Sequence, residues 1–188
     1  MKYAFIIGTR PELIKVAPVI KALESKSIQY DIVNTAQHKD LLDPYWKTFQ
    51  IEPTHILDVM LEGQNLASLT ARAIGQLQSY IDTAEVKPDV MVAQGDTTTV
   101  MAASMVSFYN KVTFAHIEAG LRSYDFNNPF PEEYNRCVAS INADIHFCPT
   151  ILSKENLIKE GICLDKIFVV GNTVVDSLMY MTHNTSFS

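Results

Sequence analysis

Tyr3-Ala4-Phe5-Ile6-Ile7, then Gly8-Thr9-Arg10-Pro11-Glu12, then Leu13-Ile14-Lys15-Val16-Ala17 reads as a strand, a turn and a helix in one stretch. The first run is apolar on both faces, as a strand buried from two sides must be. After the turn, Leu13, Val16, Ala17, Ile20 and Leu23 recur at helical spacing and predict a helix over 12–24. Pro18 falls inside it and removes one backbone hydrogen bond, a cost of about 3 kcal/mol in an ordinary helix, so a kink or local opening is expected there.

The same unit repeats outward along the chain. Strands are expected at 30–35, 89–93, 113–116, 145–148 and 167–170, and helices at 40–49, 65–84, 97–109, 132–142 and 154–160, with a last helix beginning over 173–180. The helix over 65–84 is the clearest, with Leu66, Leu69, Ala73, Ile74, Leu77 and Ile81 on one stripe. The polar stretch 118–131 has no regular period. Alternation of this kind predicts an α/β, Rossmann-like parallel sheet with helices on both faces.

Composition sets the class. The chain has 188 residues, 47% of them hydrophobic and 19% charged, the profile of an ordinary globular protein with a sizeable core. With 15 Lys+Arg against 21 Asp+Glu the formal net charge is −6, which argues against a nucleic-acid partner. Cys137, Cys148 and Cys163 show no CxxC spacing and read as free thiols of a reducing compartment. No signal peptide is legible at the start, and no apolar run approaches the ~20 residues that span a bilayer. The expected location is cytoplasmic, with no membrane partner.

In an open parallel sheet, ligands bind beyond the carboxyl ends of the strands. The residues that follow the expected strands are Gly8-Thr9-Arg10, Ala36-Gln37-His38, Gln94-Gly95-Asp96-Thr97 and Glu118-Ala119-Gly120, all small, charged or hydrogen-bonding. Four such loops on one edge point to a cleft. Arg10 precedes a helix whose N-terminus favours anions, and Lys15 lies about one turn on, so a phosphate fits; a turn in which Arg10 pairs with a surface carboxylate fits equally well. The pattern is not GxGxxG, which disfavours NAD. Asp96 reads either as the N-cap of the next helix or as a functional acid. Glu118, at a strand end beside a glycine, is the more suspicious carboxylate. Glu132 and Glu133 suit a helix start, and His116 suits a core histidine. The histidines show no metal-ligand spacing, so no metal site is expected, and no nucleophile motif is present.

Taken together, Gly8-Thr9-Arg10-Pro11-Glu12, Thr35-Ala36-Gln37-His38, Gly95-Asp96-Thr97-Thr98-Thr99, His116-Ile117-Glu118-Ala119-Gly120-Leu121-Arg122, Pro129-Phe130-Pro131-Glu132-Glu133 and Gly171-Asn172-Thr173 occur in order. In this the chain resembles the bacterial non-hydrolysing UDP-N-acetylglucosamine 2-epimerases over nearly its whole length. The resemblance implies one half of a glycosyltransferase-B-type fold and commonly a homodimer. It implies interconversion of UDP-N-acetylglucosamine and UDP-N-acetylmannosamine, for surface polysaccharides, by elimination and re-addition of UDP. No NAD, metal or other cofactor is implied. Asp96, Glu118 and Glu132 match the family's catalytic acids, and Arg10 and Lys15 its phosphate-side residues. Gln37 and His38 match a loop that in some members binds a second, regulatory substrate molecule. The resemblance also implies a C-terminal UDP-binding domain that this chain lacks. The expected organisation is a domain over 1–180 and a tail or linker stub over 181–188, with little turnover unless a complementing C-terminal domain is supplied. A non-catalytic sugar-nucleotide-binding module and a hydrolysing 2-epimerase are the alternatives.

Overall fold

A computed structural model describes residues 1–36, 39–61 and 63–184. Its strands are β1 (Lys2–Ile7), β2 (Gln29–Asn34), β3 (His55–Ile56), β4 (Val90–Gln94), β5 (Thr113–Ile117), β6 (Ile145–Cys148) and β7 (Ile167–Val169). Its helices are α1 (Arg10–Glu24), α2 (Lys39–Phe49), α3 (Leu66–Thr83), α4 (Thr98–Asn110), α5 (Glu132–Asn142), α6 (Ile151–Lys159) and α7 (Val174–Asn184). The strands form one parallel sheet in the order β3-β2-β1-β4-β5-β6-β7. This is the α/β, Rossmann-like architecture that the strand-helix repetition requires.

Side-chain alternation divides the core in two. Phe5, Ile7, Ile32, Val92 and Ala115 point to one face and meet Leu13, Val16 and Ile20 of α1, Trp46 and Phe49 of α2, and Tyr180 of α7. Ala4, Ile6, Val33, Met91 and Phe114 point to the other and meet Leu69, Leu77 and Tyr80 of α3, Val106 of α4 and Ala139 of α5. Leu157 of α6 packs with Cys148 and Ile167 on this second side. The second face also buries a carboxylate: Asp31 accepts from Tyr80 Oη at 2.6 Å and pairs with Lys2 Nζ at 2.8 Å.

α1 runs unbroken through Pro18. Proline has no N–H to give the carbonyl four residues back, here Ile14. The hydroxyl of Ser177 on α7 donates to that carbonyl instead. The gap left in one helix is thus the anchor of another.

Most boundaries fall within two residues of the sequence expectation, which misses one strand and places two helix ends further off. β3 pairs with β2 through only two residues, too few to show a period. α6 begins at Ile151, earlier than Lys154, because the Thr150 side chain caps it by accepting from Ser153 N at 3.1 Å. α7 continues past Tyr180 to Asn184. Among the described residues no helix is long and apolar enough to cross a membrane.

Candidate active site

The strand order reverses between β1 and β4, and a crevice at that switch point is where an open α/β sheet takes ligands. The turn after β1 and the turn after β4 face each other across it. Glu12 joins them. Its carboxylate accepts from Gly8 N at 2.6 Å and Thr9 N at 2.9 Å, and from Thr97 Oγ1 of the opposite turn at 2.8 Å. It is 2% exposed, and burial pushes its carboxyl above the usual range despite those hydrogen bonds. The amides of the first turn are therefore spent inward. What the turn presents outward is Arg10, exposed at the start of α1, with its guanidinium 5.9 Å from the Tyr45 ring centroid. Among the described residues no carboxylate pairs with Arg10.

Glu118 stands directly after β5. Lys15 Nζ donates to both its oxygens, at 2.9 and 2.6 Å, and Asn172 Nδ2 donates at 2.9 Å from the turn after β7. Gln94 Nε2, at the end of β4, completes the set. The carboxylate is thus fixed from three directions. Glu118 has φ +67°, a left-handed conformation that a side chain with a Cβ rarely adopts. The next turn explains how it is held. Ala119 N donates to Phe147 O at 3.0 Å, and Asn156 Nδ2 donates to Gly120 O at 3.0 Å. Gly120 has φ +84°, and a Cβ there would lie 2.2 Å from Ser153 O, so only glycine fits.

Asp96 does not cap α4. Thr97 does, its Oγ1 accepting from Val100 N at 3.3 Å. That leaves the Asp96 carboxylate free to meet Arg136 of α5, whose Nε and Nη2 lie 3.0 and 2.6 Å from Oδ2. Asn135 Nδ2 also donates to the Asp96 carbonyl at 2.8 Å. Arg136 reaches back to Glu133 Oε2 at 3.1 Å.

The two acids that open α5 separate. Glu133 is 1% exposed; burial alone would raise its carboxyl, but the Ser123 and Tyr124 amides and Arg136 outweigh that and hold it below the ordinary range. Glu132 is half-buried, and no ion pair holds it among the described residues. His116 is a core residue: fully buried, Nε2 at 2.7 Å from Gly95 O, its imidazole pushed down by desolvation.

The structure therefore joins Lys15 of α1 to Glu118 after β5 and holds Asp96 at the neighbouring end of β4; Arg10, at the start of α1, meets Tyr45, and Glu132 opens α5. Gln37 and His38 lie outside the described residues. Sequence reasoning misses Arg136 as the partner of Asp96, because the pair is distant along the chain. The one available signal is the i,i+3 spacing of Glu133 and Arg136 on a shared helix face. Among the described residues no group of three or more His, Cys, Asp or Glu could hold a metal ion. The chemistry on offer is proton transfer by fixed carboxylates next to cations that suit an anionic leaving group.

A family model described as UDP-N-acetylglucosamine 2-epimerase matches residues 21–187. A UDP-N-acetylglucosamine 2-epimerase of Campylobacter jejuni is 42% identical over 182 residues, which are 96% of this chain and 47% of that one. The solved structure of the Neisseria meningitidis UDP-GlcNAc 2-epimerase bound to UDP-GlcNAc is 44% identical with a TM-score of 0.91, over 96% of this chain and 48% of that one. A Methanocaldococcus jannaschii UDP-GlcNAc 2-epimerase in complex with UDP-GlcNAc and UDP is 38% identical with a TM-score of 0.89, over 95% of this chain and 49% of that one. A lipopolysaccharide outer core galactosyltransferase, WaaB, shares the fold at 17% identity and a TM-score of 0.66. The chain spans about half the length of the relatives it matches.

Proposed function

The chain belongs to the UDP-N-acetylglucosamine 2-epimerase family, and from that premise we propose that it carries the carboxylate half of an epimerase site acting on UDP-N-acetylglucosamine. The observation that carries the reading is the pair of fixed acids on adjacent strand ends, Glu118 gripped by Lys15 and Asp96 gripped by Arg136.

The chemistry needs such a pair. The C2–H of the sugar is weakly acidic and yields only to a placed base while a good leaving group departs from C1. The C2 proton passes to a carboxylate, the C1–O bond breaks, and its electron pair leaves with UDP. A 2-acetamidoglucal remains, with a double bond between C1 and C2. Return of UDP with a proton on the opposite face inverts C2, and no net electrons are exchanged. Asp96, Glu118 and Glu132 share the base, acid and cation-stabilising roles. Arg10 and Lys15 serve the phosphates, and a cation that already neutralises Glu118 is well placed to neutralise the departing anion. Gln37 and His38 belong to a loop for a second, regulatory substrate molecule. The second half of the site, with most of the uridine pocket, comes from a complementing C-terminal domain. A cytoplasmic homodimer without nucleic-acid or membrane partners fits the same reading.

The test is proton NMR of UDP-N-acetylglucosamine in deuterated water. The chain joined after α7 to the second half of the Neisseria meningitidis relative is expected to put deuterium at C2 and to form UDP-N-acetylmannosamine. The 188-residue chain alone is expected to do neither. A folded, substrate-binding chimera with no exchange overturns the reading, and release of free N-acetylmannosamine replaces it with a hydrolysing epimerase.

A further inference from the structure

Asn172 stands in the turn after β7 and uses its side-chain amide twice. Nδ2 donates to Glu118 Oε1 at 2.9 Å, and Oδ1 accepts at 3.0 Å from the amide of Val174, where α7 begins. The second bond settles which way the amide faces: an oxygen spent on Val174 leaves the nitrogen for the acid. The turn itself is pinned. Val170 N donates to Cys148 O at 3.0 Å, and Gly171, with φ +79°, turns the chain at a conformation that suits glycine. In the sheet order β5-β6-β7, Asn172 reaches past β6 to the acid that follows β5.

What this donor does follows from the torsion it controls. The last torsion of a glutamate is broad, so donors rather than rotamer preference set the plane of its carboxylate. On Glu118, Oε2 takes Gln94 Nε2 and Lys15 Nζ, and Oε1 takes Asn172 Nδ2 and Lys15 Nζ. Lys15 is a point charge on a flexible stem and fixes direction poorly. Gln94 and Asn172 therefore hold the plane, one oxygen each.

The same asparagine opens α7, and α7 returns to the acid by a second route. The buried Ser177 donates its hydroxyl to Ile14 O, and the residue after Ile14 is Lys15, the cation on Glu118. Asn172, α7, Ser177 and the Ile14–Lys15 step thus close a circuit on Glu118. A displacement of α7 acts on two of its three donors.

We propose that Asn172 is a positioning residue that aims the Glu118 carboxylate and ties that aim to the seating of α7. The inference deepens the epimerase reading and rests on it. In that reading the second half of the site follows α7, so the placement of that half and the aim of the acid are set together.

The experiment measures C2 exchange by the chimera described above. Asn172→Ser keeps an oxygen for the Val174 amide but is too short to reach Glu118. It is expected to lower kcat at least ~10-fold, with KM for UDP-N-acetylglucosamine within ~2-fold and the urea midpoint unmoved, because a misaimed acid costs rate and not binding. Asn172→Asp keeps the shape and the Val174 contact but turns a second carboxylate on the first, and is expected to slow exchange at least as much. Glu118→Asp draws the acid back by one C–C bond, ~1.5 Å, beyond the reach of Asn172. In that background Asn172→Ser is expected to change the rate less than ~2-fold. The same ~10-fold loss in both backgrounds would mean that Asn172 serves the fold and not the acid, and overturns the proposal. Normal kcat in Asn172→Ser and Asn172→Asp overturns it too, as does a loss confined to KM. The two readings fail apart. An unsubstituted chimera without exchange removes the epimerase reading and this inference with it, whereas exchange that falls with Glu118→Gln but ignores Asn172 removes this inference alone.

Discussion

Glu118 combines a left-handed backbone with a carboxylate that takes donors from Lys15, Gln94 and Asn172. Residues held in sparsely populated backbone regions persist only where their surroundings over-determine them, and that is the case here. The three donors come from α1, the end of β4 and the turn after β7, so the orientation of this one acid reports on three separate elements. Asp96 is gripped differently, through the two-nitrogen fork of Arg136. In the chain completed by a second half, Glu118→Gln and Asp96→Asn are each expected to slow C2 exchange at least ~100-fold, the usual loss for a general acid or base. Turnover near normal in both would remove them from the chemistry. Gly120 supports a prediction on stability. Gly120→Ala places a Cβ 2.2 Å from Ser153 O in a left-handed turn, so a loss of about 2 kcal/mol or more is expected in urea unfolding. An unchanged midpoint would mean that the 118–120 turn relaxes freely.

At the scale of elements, helices and strands are joined by polar contacts that periodicity does not reveal. Ser177 on α7 serves the Ile14 carbonyl that Pro18 leaves open in α1. Ser177→Ala leaves a partly buried acceptor unserved and is expected to cost about 1–3 kcal/mol in chemical denaturation; a neutral substitution would mean that water reaches Ile14. β5 and β6 set His116 and His146 side by side, both fully buried. Desolvation pushes the His146 imidazole down to about 4 from 6.5. Between those values the unfolded chain takes up a proton that the folded one refuses. The stability is therefore whole above pH ~6.5 and falls as the pH drops towards 4, by up to ~3 kcal/mol for this residue. Urea midpoints from pH 7 to 4.5 check it, and His146→Met should flatten the slope. A slope unchanged by His146→Met would place the titration elsewhere.

These contacts also mark what can be read in advance. Strands buried on both faces are apolar throughout, and helices keep a stripe, so β1, β4 and α3 are legible in residue order alone. β3 is not, because two residues carry no period. Asp96 and Thr97 are both good caps on paper; the helix begins behind Thr97, and Asp96 pairs instead with Arg136 of α5, a partner distant along the chain. Glu132 and Glu133 are alike as neighbours at a helix start, while the helix turns one inward to the Tyr124 amide and leaves the other at the surface. Burial and long-range pairing decide these cases, and neither is a property of a short window.

For the whole molecule, the site sits at the seam where the strand order reverses, and its parts come from both sides of that seam. Arg10 and Lys15 belong to the first side; Asp96, Glu118 and Glu132 to the second. Deforming the β1–β4 junction therefore disturbs cations and acids together. The Glu12 bridge to Thr97 is, beside the Lys15–Glu118 pair, a polar tie across that junction, and Thr97→Ala removes both that tie and the α4 cap. A loss of about 1–2 kcal/mol is expected by thermal or urea unfolding. A smaller loss would show that Glu12 finds another donor.

The central place of β1 has a consequence for the order of events at the ribosome. It is made before the other strands of its sheet, yet one of its two neighbours is β4, whose residues follow much later in the chain. At about 5–20 residues per second, β1 waits roughly 5–15 s for that neighbour. Throughout that interval β1, β2 and α1 can associate, but one edge of β1 offers unpaired amides and carbonyls to whatever lies nearby. A nascent chain of this topology depends on being kept from its own copies during translation, and its yield should follow the spacing of ribosomes on the message more closely than the stability of the finished fold.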